Sequence, residues 1–108
     1  MEVRISARHT TLPESLVARA EGVLAKLSKF DSRTSAVEVV FIEEKHCRRA
    51  EGIVHIDRGE PIVASGEAED FNGALSQLND RLVRQLRRHH AQSKDHQAPR
   101  LTETLSQE

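Results

Sequence analysis

Arg81, Arg84, Arg87, Arg88, His89 and His90 fall within residues 81–94, a stretch that contains no acid. Guanidinium groups form no covalent intermediates, but each presents a planar fork of donors that suits phosphate or carboxylate. With Leu75 set at 0° on a helical wheel, Gln77, Arg81, Arg84 and Arg88 fall between about 180° and 240°, and Arg87 near 120°. The apolar residues Phe71, Ala74, Leu75, Leu78, Leu82 and Leu86 lie between about 260° and 20°. The basic residues therefore form a stripe away from the core. Solvated helix faces ordinarily mix signs in i,i+4 pairs. Here only Asp80 stands within helical reach, of Arg84, so the repulsion is largely uncompensated and points to an anionic partner.

The first helix adds cations. With Leu12 at 0°, Arg19, Lys26 and Lys29 lie between about 260° and 340°, at the edge of an apolar stripe. Side-by-side packing of the two helices would extend the Arg81–Arg88 patch across both. The chain has three Phe, no Tyr and no Trp. Readout of single strands by aromatic stacking is therefore disfavoured, and recognition of folded RNA through backbone and shape is favoured.

Other chemistries lack their groups. There is no Gly-rich phosphate loop, no Gly-x-Ser-x-Gly elbow and no His-Glu-x-x-His. Cys47 beside His46 reads as an ordinary loop cysteine. His89, His90 and His96 do not make a metal site, because adjacent imidazoles on a helix point about 100° apart. Glu38, Glu51, Asp57 and Glu67 are spread over strands, where they solubilise a sheet. The expectation is a protein that is not an enzyme, with no metal and no cofactor.

The elements that position these residues follow from periodicity. Val3, Ile5 and Ala7 alternate with Glu2, Arg4, Ser6 and Arg8 in a half-buried strand. Thr10 or Thr11 is expected to cap a helix that carries Leu12, Leu16, Ala20, Val23, Leu24 and Leu27 and ends near 29–31. Strands follow around residues 37–42, 50–57 and 62–68, with a looser turn at 43–47 and a tight one at Asp57-Arg58-Gly59-Glu60. Inward residues of the last two strands are mostly small, which admits a closely packed helix. Asp70 caps that helix. From Ala91 the periodic apolar face is lost, and a disordered tail over 93–108 is expected.

The order β-α-β-β-β-α predicts an α+β two-layer domain over residues 1–92: a four-stranded mixed sheet with both helices on one face. The first two strands should be parallel, joined by a right-handed crossover, and the other neighbours antiparallel. Val40, Ile42, Ile53 and Val63 would form a modest apolar strip on the open side of the sheet.

Composition sets the outer bounds. A chain of 108 residues, 37% hydrophobic, supports one core. Charged residues interrupt the first twenty positions, no later apolar run reaches membrane-spanning length, and Cys47 is the lone cysteine. These features fit a cytoplasmic protein with no membrane association. The net charge is −1, but residues 1–69 carry ten Lys plus Arg against twelve acids, so the positive charge is concentrated in the last helix.

The arrangement resembles the ribosome hibernation-promoting factor family, also called ribosome-associated inhibitor or sigma-54 modulation proteins. Val3-Arg4-Ile5-Ser6-Ala7-Arg8 resembles its first strand, and Ala25-Lys26-Leu27-Ser28-Lys29-Phe30-Asp31 the end of its first helix. The strongest match is Glu69-Asp70-Phe71-Asn72-Gly73-Ala74-Leu75, followed by Leu78, Asp80-Arg81-Leu82, Arg84-Gln85-Leu86 and Arg87-Arg88-His89. Asn72, Gly73 and Ser76 depart from the family's usual aromatic, alanine and aspartate. The resemblance implies a short-form translation inhibitor that binds the small ribosomal subunit and its ribosomal RNA over the messenger and tRNA path, stabilising inactive ribosomes under stress. By position, its RNA contacts would be Lys26, Lys29 and Arg33 near the first helix and Arg81, Arg84, Arg87 and Arg88 on the second. No DNA partner is expected, and the free protein is expected to be a monomer. A competing reading is a regulatory module whose arginines dock an acidic protein surface.

Overall fold

The computed structural model describes residues 1–97, with side chains described through Ala91. Its order is β1 (Glu2–Arg8), α1 (Glu14–Ala25), a 3-10 turn (Lys26–Lys29), β2 (Thr34–Glu43), β3 (Arg48–Ile56), β4 (Ile62–Ala68) and α2 (Phe71–Gln97). The sheet runs β1-β2-β3-β4, with β1 and β2 parallel and the other pairs antiparallel. Fold class and topology agree with the sequence-based expectation.

One face of the sheet packs on both helices. Val37, Val39 and Phe41 of β2, Ala50 and Val54 of β3, Leu24 and Leu27, and Leu75, Leu78, Leu82 and Leu86 of α2 are essentially sealed from solvent. Phe41 meets Phe71 edge-to-face at 5.5 Å. The small residues under α2 set how close it can come. A Cβ on Gly66 would lie 2.5 Å from the Ala74 carbonyl oxygen and 2.8 Å from the Leu78 nitrogen, both of them helix backbone. Gly73 answers the same constraint from the helix side, since a Cβ there would meet the Ala68 Cβ at 2.7 Å. Close packing thus offsets the roughly 1 kcal/mol that glycine costs in a helix.

Local details correct the sequence reading in two places, at the start of α1 and at the end of α2. Neither Thr10 nor Thr11 caps α1: the N-cap is Pro13, with no side-chain hydrogen bond, and its carbonyl accepts from the Leu16 and Val17 N–H groups. Within the β3–β4 turn Arg58 takes the left-handed conformation, with φ 61°. Helix α2 continues to Gln97, beyond the expected end at 92. Residues 91–97 contain neither Gly nor Pro, and the first proline after the helix start is Pro99, so no helix-breaking residue stands before it. The rest of the expected tail, 98–108, lies outside the described residues. Asp70, by contrast, caps α2 as expected, its Oδ1 accepting from the Gly73 N–H at 2.7 Å.

The open face of the sheet is polar and self-paired: Arg49 bridges Glu51 and Glu67, and His55 meets Glu38 at 2.9 Å. Of its expected apolar strip, Val63 is exposed, Val40 and Ile53 are half-buried, and Ile42 is covered. Among the described residues, no helix is long and apolar enough to cross a membrane.

Candidate nucleic-acid interface

Helices α1 and α2 lie side by side and run the same way, so matching levels of the two face each other along a seam. At the first level Arg19 donates to Asn72 Oδ1 at 2.8 Å and to Ser76 Oγ at 3.3 Å. Both acceptors are neutral, so Arg19 is held in place without losing its charge. One level on, Lys26 and Val23 face Asn79 and Val83 across a hollow of about 340 Å³. Beyond it Phe30, Lys29 and Arg87 line a second hollow of about 580 Å³, with Ser28, Ser32 and His90. A third, about 460 Å³, joins Asn79, Asp80, Val83, Arg84 and Arg87. The third lies on α2 alone and adjoins the groove along the seam through Asn79, Val83 and Arg87, which it shares with the other two.

The seven residues expected from sequence divide by role. Lys26, Lys29, Arg84 and Arg87 gather at the groove, all exposed. Among the described residues, none of them pairs with a carboxylate within 4.0 Å, and Arg84 does not take up the expected contact with Asp80. Arg87 lies over the Phe30 ring, 5.2 Å from its centroid, within cation–π range. Arg88, also exposed, points away from the seam, about 100° round the helix from Arg87.

Arg81 sits on the opposite flank of α2, where it donates to the Ser65 carbonyl of β4. Gln77 accepts from the Glu67 N–H, and Gln85 donates to the Val63 carbonyl at 3.1 Å. Three side chains at four-residue spacing thus cover the outer edge of the last strand.

Arg33 is not a free cation. It grips Asp31 with two hydrogen bonds, Nη2 to Oδ2 at 2.9 Å and Nε to Oδ1 at 3.1 Å. The Asp31 side chain is 2% exposed and also approaches His89 Nδ1 at 3.3 Å. The Arg33 side chain holds the Asp31 carboxyl far below the usual carboxylate range, against the opposing effect of burial, with help from the Arg33 N–H and His89. This cluster fixes the loop carrying Lys29 and Phe30 against α2. Sequence reasoning missed it, although Asp-x-Arg with the second backbone N–H donating to the first side chain is a readable Asx turn. It also missed Phe30 and Asn79, which only the juxtaposition of the helices brings into play.

No reactive centre forms around Cys47. Its thiol is pushed up by burial and by the Glu44 hydrogen bond, so it stays protonated near neutrality. Glu44, Cys47 and Glu67 approach one another, but Glu67 is committed to Arg49.

Known proteins resemble the chain in sequence and in fold. Residues 3–94 match the family described as Sigma 54 modulation protein / S30EA ribosomal protein. The chain is 32% identical over 96 residues to the ribosome hibernation promoting factor of Escherichia coli K12, covering 89% of this chain and all of that one. It is 35% identical over 92 residues to that of Pseudomonas putida, covering 82% and 86%. Its fold is similar to that of a ribosomal subunit interface protein from Coxiella burnetii (TM-score 0.78, 20% identity, covering 84% of this chain and 99% of that one). The Thermus thermophilus Protein Y N-terminal domain is also similar (TM-score 0.74, 23% identity, covering 82% and 99%).

Proposed function

The chain belongs to the Sigma 54 modulation protein / S30EA ribosomal protein family, and from that premise we propose that it is a ribosome-binding translation inhibitor that promotes hibernation. In this reading the groove between α1 and α2 rests on ribosomal RNA of the small subunit, in the decoding and tRNA region, and the bound protein excludes messenger and tRNA. The protein acts as a cytoplasmic, non-catalytic monomer under stress. The observation that carries the reading is the gathering of Lys26, Lys29, Arg84 and Arg87 on one groove with no carboxylate partner among the described residues. Such cations neutralise phosphates and release counterions. Arg19 extends the same track, Arg88 serves an adjoining strand, and Arg33 and Arg81 contribute chiefly by shaping the surface.

The test is cosedimentation with separated small subunits at about 0.1 M and about 0.5 M salt, where screening differs strongly. Saturable binding that is lost at high salt is expected, with Arg84→Glu plus Arg87→Glu failing to pellet while still folded. Four phosphate contacts give a log–log salt slope of about −3. Unchanged binding by that folded double variant overturns the assignment.

A further inference from the structure

We propose that the groove between α1 and α2 also holds one unpaired nucleobase, stacked on the guanidinium of Arg87 that Phe30 backs from beneath. The inference rests on the reading that the partner is RNA and adds what part of the RNA is gripped. Phosphates require only exposed cations on a convex surface. Here Arg87 lies over an aromatic ring at 5.2 Å, which restrains a side chain otherwise rich in rotamers, and the same residue lines two of the hollows. Bases splayed from loops stack on guanidinium planes as well as on aromatics. The lining suits a flat, partly apolar guest: Val23, Phe30 and Val83 supply apolar surface, and Lys26, Lys29 and Arg84, the last beside Asp80, line the same hollows for the flanking phosphates.

A second observation points the same way. Asn79 lies between the two hollows, and its Oδ1 is buried without a hydrogen-bond partner. A buried acceptor left unpaired is costly, and a change of amide rotamer would let it accept from the amino or imino edge of a base. The paucity of aromatics in the sequence argues against stacking only if aromatics must do the stacking themselves. With Phe41 in the core and Phe71 packed edge-to-face on it, Phe30 is placed to serve through Arg87.

The experiment uses the full chain and a single-stranded RNA nonamer carrying one 2-aminopurine, with cosedimentation on small subunits run in parallel. The expected result is a saturable change in 2-aminopurine fluorescence. Arg87→Lys, which keeps the charge but not the plane, should abolish that change and weaken oligonucleotide binding about tenfold, while the salt slope stays the same. Phe30→Leu should behave likewise and report on the backing ring. If the protein pellets with subunits but leaves the 2-aminopurine signal unchanged up to about 100-fold protein excess, the base site is overturned and the ribosomal reading stands. An unaltered signal with Arg87→Lys also overturns it. Failure to pellet with subunits at low salt overturns the reading on which it rests.

Discussion

Asp31 shows how one side chain can decide the geometry of a site it does not enter. Its carboxylate, 2% exposed, accepts from Arg33 Nε, Nη2 and backbone N–H, and meets His89. Because its folded-state pKa is depressed, the unfolded chain binds the proton more readily. The resulting stability is present in full above the ordinary value of 3.8 and declines as pH falls below it toward the folded value. Asp31→Asn should lower stability at neutral pH by about 1–3 kcal/mol. It should also flatten the acid limb of melting temperature against pH, as followed by circular dichroism between about pH 5 and 2. A variant whose acid limb matches that of the parent would remove Asp31 from this role. The sequence carried a sign of the cluster in Asp31-Ser32-Arg33, but its third member, His89, is 58 residues away and was legible only as part of a basic run.

At the scale of elements, α2 does three things with three flanks. Its apolar flank seals the core, the flank toward α1 carries Arg87, and the flank toward β4 lays Gln77, Arg81 and Gln85 along an open strand edge. Helical periodicity separated apolar from basic positions correctly, but it could not show that Arg81 reaches the Ser65 carbonyl while Arg84 does not. Only the position of β4 divides them. Arg81→Ala is therefore expected to cost about 0.5–1.5 kcal/mol in urea unfolding and to promote self-association through the uncovered edge, whereas Arg84→Ala should leave stability within about 0.5 kcal/mol. Gly66→Ala tests the closeness of helix and sheet: with helix backbone at 2.5 Å, it should cost about 1–3 kcal/mol, or roughly 4–20 °C in melting temperature. The order and pairing of strands were legible because each alternates cleanly. The ends of the helices were not, because Pro13 needs no capping side chain and residues 91–97 form helix without an apolar face.

For the whole molecule, a net charge of −1 means that no long-range attraction draws the protein as a body toward a polyanion. Binding must come from charge placement. The open face neutralises itself through Arg49 with Glu51 and Glu67 and through His55 beside Glu38, while the groove cations keep no such partners among the described residues. If placement governs, two variants with the same net charge should differ sharply. Arg84→Glu with Arg87→Glu changes the charge by four units at the groove. Lys45→Glu with Arg8→Glu makes the same change at the β2–β3 turn and on the open face, where both residues are exposed. In cosedimentation at about 0.1 M salt, the first pair should lose binding by two orders of magnitude or more. The second should stay within a few-fold of the parent, because at about 10 Å screening mutes distant charges. Equal losses in the two pairs would mean that bulk charge, and not the groove, sets the affinity.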